Sequence, residues 1–134
     1  MKVLNVLIAD DISDWLLFHQ QNLQSYLQGY DVNYYMFSSA HDAYNFAMNF
    51  ENKIDLVITD LQMESMEKLA GEWLVENLKL LKSCSLSKYI IVSSCYDIAF
   101  VADRVGANSY LRKPAYHSNP LSLKYTLEEL FGKL

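Results

Sequence analysis

Residues 54–60 read IDLVITD, an apolar run that ends abruptly on a carboxylate. The run does not alternate polar with apolar, so it reads as a strand covered on both faces rather than one with a wet side. Two further stretches share the pattern, VLNVLIA at 3–9 and YIIVSS at 89–94. Strands are expected over Lys2–Ala9, Val32–Phe37, Ile54–Thr59, Tyr89–Ser94 and Ser109–Leu111. Helical periodicity fills the intervals. Asp14–Gln28 puts Leu16, His19, Leu23, Tyr26 and Leu27 on one stripe, and Ala40–Asn49 follows with Ala43, Phe46 and Ala47. A long segment up to Leu81 carries Leu74, Leu78 and Leu81, and Ile98–Val105 stops at Gly106. A last helix carries Leu123, Leu127, Leu130, Phe131 and Leu134. The order is βα five times over. Right-handed crossovers then imply an α/β, doubly wound, five-stranded parallel sheet with ligands at the carboxyl ends of its strands.

Composition agrees with one domain over residues 1–134. The chain is 51% hydrophobic and 20% charged, with two prolines and four glycines, which excludes a disordered or collagen-like polymer. No run reaches the roughly 18 apolar residues of a membrane helix. The N-terminal MKVLNVLIADD has acids where a signal peptide would have small cleavage-site residues, so a cytoplasmic protein is expected. Net charge is -5 and the 11 Lys and Arg are scattered, which argues against direct nucleic-acid binding. Cys84 and Cys95 lack metal-ligand spacing, and His19, His41 and His117 share no spacing either.

The strand ends carry the chemistry. The first strand ends in Asp10-Asp11, the third in Asp60, the fourth in Ser93-Ser94, and the fifth runs into Lys113-Pro114. Carboxylates gathered at one edge repel and raise each other's pKa unless a cation intervenes. Mg2+ suits such an oxygen-rich set and leaves room for phosphoryl oxygens. A carboxylate can then act as the nucleophile toward phosphorus, with metal, Lys and hydroxyl spreading the charge of the transferring group. Asp is also favourable ahead of a helix, but Ser13 or Asp14 would serve there equally well.

In VLIADD (6–11), DLVITDLQM (55–63), IIVSSCYD (90–97) and GANSYLRKP (106–114), the sequence resembles the response-regulator receiver domains of two-component signalling, and is similar to the single-domain chemotaxis regulators. The resemblance covers essentially the whole chain. It implies a flavodoxin-like (βα)5 fold with strand order 2-1-3-4-5, and no effector domain is expected within residues 1–134. It implies Asp60 as phosphoacceptor, with Mg2+ held by Asp10, Asp11, Asp60 and the backbone carbonyl of Gln62. Ser94, rather than Ser93, matches the hydroxyl that moves toward the phosphoryl group, because the small Cys95 follows it. Lys113 matches the phosphoryl-pairing lysine, with a cis bond to Pro114, and Tyr110 the aromatic switch position. Gln62 and Tyr96 match positions that tune dephosphorylation. The implied donor is a phosphohistidine on a sensor histidine kinase or histidine phosphotransfer protein. The implied output is docking on a downstream protein or self-dimerisation.

Three departures stand out. Glu64-Ser65 replaces the usual Pro-Gly after the phosphoacceptor loop, removing a residue that fixes φ and adding a negative charge near an acidic pocket. Glu64 and Glu67 equally suit the N-terminus of the next helix. The interval from Asp60 to Ser94 is longer than the resemblance implies, with the extra residues near Lys68–Gly71. Gly71 is costly inside a helix, so the regular helix is expected to begin around it. The interval from Ser94 to Lys113 is shorter by roughly one helical turn, which falls in the fourth helix, and the AYHSNP loop (115–120) looks longer. Two other functions compete with the phosphoacceptor: an interaction module whose intact pocket is not phosphorylated, and an Asp-nucleophile phosphohydrolase. The second needs Asp-x-Asp at the first strand, where this chain has adjacent acids.

Overall fold

A computed structural model of the chain describes residues 2–63 and 69–134. The elements are β1 (Lys2–Ala9), α1 (Ser13–Tyr26), β2 (Tyr30–Phe37), α2 (Ala40–Asn49), β3 (Leu56–Thr59), α3 (Ala70–Leu78), β4 (Lys88–Ser93), α4 (Ile98–Val105), β5 (Ser109–Arg112), α5 (Lys113–Ser118) and α6 (Leu121–Phe131). The strands form one five-stranded sheet in the order β2-β1-β3-β4-β5, and every neighbouring pair is parallel. The three continuous apolar runs are its three central strands, where both faces are covered. The edge strands β2 and β5 carry alternating or half-exposed positions instead.

Alternation along each central strand divides its side chains between two cores. Leu7, Ala9, Val57 and Ile91 meet α2, α3 and α4, through residues such as Ala43, Leu74 and Val101. Val6, Ile8, Ile58, Ile90 and Val92 meet α1, α5 and α6, through Leu23, Tyr116, Leu123 and Leu127. Each fully buried aliphatic side chain stabilises the fold by about 1.5–3 kcal/mol, and these layers position everything described below.

Several local expectations shift. The β2 strand begins two residues early, at Tyr30, and α1 stops at Tyr26. Ile54 and Asp55 precede β3, Ile54 N–H donating to Ser83 O and Asp55 N–H to Asn5 O. The helix drawn toward Leu81 ends at Leu78 and is followed by a 3-10 turn at Lys82–Cys84. The Lys113–Pro114 bond, expected to be cis, is trans: no peptide bond among the described residues is cis. The stretch read as a loop is the short helix α5, with Pro114 in its first turn. There a fixed φ suits the helix and no N–H is required, so a proline starts the helix rather than preventing it.

The start of α3 conforms to expectation and explains its glycine. Leu69 adopts the left-handed region (φ 68), and α3 begins at Ala70. Gly71 N–H donates to Leu61 O at 2.9 Å. A Cβ on Gly71 would lie 1.9 Å from the Asp60 carbonyl oxygen, so only glycine lets α3 dock this closely behind β3. Glu64 and Ser65 lie outside the described residues, as does Lys68 at the edge of the longer interval.

Candidate functional site: an acidic pocket at the carboxyl edge of the sheet

Register brings the strand ends together. Ala9 partners Thr59 across β1 and β3, so Asp10 and Asp60 emerge side by side. Their backbones remain tethered, Asp60 N–H to Ala9 O at 3.0 Å and Asp10 N–H to Phe37 O at 3.1 Å. Lys113 follows the last residue of β5 and reaches both. Its Nζ lies 2.7 Å from Asp60 Oδ2 and 2.9 Å from Asp10 Oδ2. All three residues are buried, with Asp10 at 0%, Asp60 at 6% and Lys113 at 5% exposure.

The two carboxylates differ in how they are held. Asp60 Oδ1 accepts from Leu61 N–H at 2.6 Å and, more weakly, from Gln62 N–H at 3.4 Å, while Oδ2 accepts from Lys113. Asp10 Oδ1 accepts from Ile12 N–H at 3.0 Å. Its Oδ2 has the nearby ammonium but no hydrogen bond of sound geometry. Burial pushes the Asp10 carboxyl above its ordinary pKa, outweighing the Ile12 N–H and Lys113, which favour its charge. Burial also opposes the charge on Lys113, but Asp60 and Asp10 outweigh that and raise its pKa.

Asp11, on the exposed side, completes a triad. One carboxylate oxygen from each of Asp10, Asp11 and Asp60 lies within 4.8 Å of the others. Hard oxygen donors, a charge excess that one lysine does not cancel, and a buried unsatisfied oxygen on Asp10 fit a divalent cation such as Mg2+.

The hydroxyls separate. Ser93 is buried, and its Oγ accepts from Cys95 N–H at 3.1 Å. Ser94 is exposed and lines a cavity of about 580 Å³ together with Lys113, Ile12, Trp15, Pro114 and His117. Gln62 is exposed beside the triad. Tyr110, on β5, is 40% exposed with its ring 6.0 Å from the Arg112 guanidinium. Tyr96 is almost fully exposed, and its carbonyl accepts from Arg112. None of the three histidines belongs to the acidic triad. His19 is buried, while His41 packs on Trp73 and His117 stacks on Phe18.

Two residues of the site were not singled out for it in the sequence. Gly71, read only as a helix start, abuts the Asp60 backbone. Trp15 lies over Lys113, with its ring centroid 4.9 Å from Nζ. Its signal was position: one helical turn beyond Asp11, where a side chain points back toward the helix N-terminus and hence the pocket.

The architecture and its strand-end acids define a doubly wound α/β protein with its site at the carboxyl edge. No protein-family model and no curated protein matches the chain. Solved structures do match. A CheY-like response regulator receiver domain protein from Methanospirillum hungatei superposes with a TM-score of 0.74 at 24% identity, over 96% of this chain and 94% of that one. A chain of the CheX–CheY–BeF3–Mg complex from Borrelia burgdorferi gives 0.75 at 19% identity, over 96% and 89%. A Burkholderia pseudomallei response regulator with a phosphorylated aspartic acid and a calcium ion gives 0.66 at 22%, over 95% and 70%. The chain has the CheY-like receiver fold.

Proposed function

We propose that the chain is a phosphoacceptor receiver domain, in which Asp60 takes a phosphoryl group and the protein's interaction surface changes in response. The observation that carries this reading is Asp60 itself: a buried carboxylate at a strand end, paired with Lys113 and within reach of two further carboxylates. Support also comes from the likeness to structures that hold beryllofluoride with magnesium, or a phosphorylated aspartic acid with calcium.

Mg2+, held by Asp10, Asp11, Asp60 and the backbone carbonyl of Gln62, would neutralise charge on the transferring group and orient it. A carboxylate oxygen of Asp60 attacks phosphorus. The new O–P bond forms as the N–P bond of a phosphohistidine breaks, and the imidazole leaves with that electron pair. Lys113 turns an N–H from a carboxylate oxygen to a phosphoryl oxygen, so its charge follows the one being transferred. Ser94, already on the cavity wall beside Lys113, donates to a second phosphoryl oxygen, and Tyr110 changes its packing in turn. Gln62 and Tyr96 flank the path of the hydrolytic water and set how long the acyl phosphate lasts. The protein is thus a switch that assists its own modification and slow reversal. Its donor is a sensor histidine kinase or a phosphotransfer protein, its output is a protein target or a second copy, and its setting is the cytoplasm.

Incubation with Mg2+ and acetyl phosphate, followed by intact-mass measurement, tests the proposal. A labile phosphate adduct is expected in the wild type and none in Asp60→Asn. No adduct, together with no response to beryllofluoride, would mean instead an interaction module that does not use phosphorylation.

A further inference from the structure

We infer that Trp15 is a positioning residue for Lys113: its indole face holds the ammonium between Asp10 and Asp60. The inference rests on the phosphoacceptor reading above and adds a residue to it.

An ammonium has three N–H donors and no acceptor. In Lys113, oxygens of Asp60 and Asp10 lie 2.7 and 2.9 Å from Nζ, and the remaining side faces the Trp15 ring at 4.9 Å. That distance is inside the cation–π range, and the attraction grows when the cation is desolvated, as Lys113 is. Phosphorylation of Asp60 would alter both carboxylate contacts. The contact with the ring alone keeps its partner and its charge, so the ring can guide the ammonium from one oxygen to the next.

The indole is itself held. The Phe18 ring meets it edge-on at 5.3 Å, and the rings of His19 and Tyr116 lie 5.6 and 5.9 Å away. Tyr116 is fully buried and belongs to α5, the same short helix that begins with Lys113. One helix therefore supplies both the ammonium and part of the wall that fixes its aromatic partner. Trp15 is only half-buried and shares the cavity wall with Ser94 and Lys113, so its exposed side faces the site rather than the core.

Two measurements test the role. In the first, adduct formation from acetyl phosphate at saturating Mg2+ is timed for the wild type, Trp15→Phe and Trp15→Leu. Trp15→Phe keeps a ring face and should stay within about threefold of the wild type. Trp15→Leu keeps bulk without the face and should be about tenfold slower, a loss in keeping with a desolvated cation–π contact. Equal rates for the two variants would overturn the inference. The second measurement does not require Trp15→Leu to fold. Trp73 lies on α3 against His41 and Tyr44, so Trp73→Phe leaves Trp15 as the sole tryptophan. Its emission should change when Mg2+ and beryllofluoride are added, and that change should vanish in Trp73→Phe/Lys113→Met. Emission indifferent to beryllofluoride in a protein that forms the adduct normally would remove Trp15 alone. A wild type that forms no adduct would remove the phosphoacceptor reading and this role with it.

Discussion

Asp10 is fully buried, with one oxygen on the Ile12 N–H and the other beside an ammonium it shares with Asp60. An acid whose pKa is raised by folding costs stability above that pKa and recovers it as pH falls through it. Asp10→Asn should therefore stabilise the Mg2+-free protein at neutral pH by roughly 1 kcal/mol, since Lys113 keeps Asp60 as its partner. Urea unfolding in EDTA measures this. On the proposed metal role, added Mg2+ should stabilise the wild type and the same variant should lose most of that gain, because a neutral amide would replace a proposed ligand carboxylate. Asp10, Asp60 and Lys113 were legible in the sequence because each ends or follows a strand, and strand ends of a parallel sheet share one edge. Trp15 was not, because its neighbour lies 98 positions further along the chain and only docking of α1 reveals it.

At the scale of elements, α3 shows how a local rule and a tertiary one conflict. By helix propensity, Gly71→Ala should stabilise by about 1 kcal/mol. The Asp60 carbonyl stands where the new Cβ must go, so α3 or the end of β3 has to move. The expected outcome is a net loss of about 2 kcal/mol in chemical unfolding, typical of overpacking, and slower adduct formation because the backbone of the proposed nucleophile, Asp60, shifts. A stabilised variant would mean that α3 yields without cost. The strands and α1, α2 and α4 were legible from periodicity, and α4 keeps the bounds expected for it. The short α5 was not, having six residues and no repeat of its pattern. It owes its place to Tyr116, which stacks on His19 and is buried between α1 and the sheet.

For the whole molecule, stability couples to pH through the core that α1, α5 and α6 form on one face of the sheet. His19 is buried there, its Nδ1 3.5 Å from the Tyr116 hydroxyl. Burial, reinforced by the charge of Lys113, lowers its pKa from 6.5 to about 3. The unfolded chain takes up this proton near pH 6.5 and the folded one only near 3, so stability falls as pH drops through that window. The slope from this one residue is about 1.4 kcal/mol per pH unit. His19→Gln should flatten the decline between pH 6 and 4 in denaturant titrations, and an unchanged slope would show that His19 titrates normally. By itself the sequence determined the order of the five strands and of the helices between them, and the ends of β1, β2 and β3, because side-chain periodicity is a local property of the chain; α5 and the last residues of β4 and β5 were not fixed by it. The tertiary structure alone decided which charges meet, that Lys113 is shared between two acids under an indole ring, and that Gly71 must lack a Cβ. Those outcomes depend on distances between remote segments, and the cost of burying a charge is set by whichever groups the fold brings beside it.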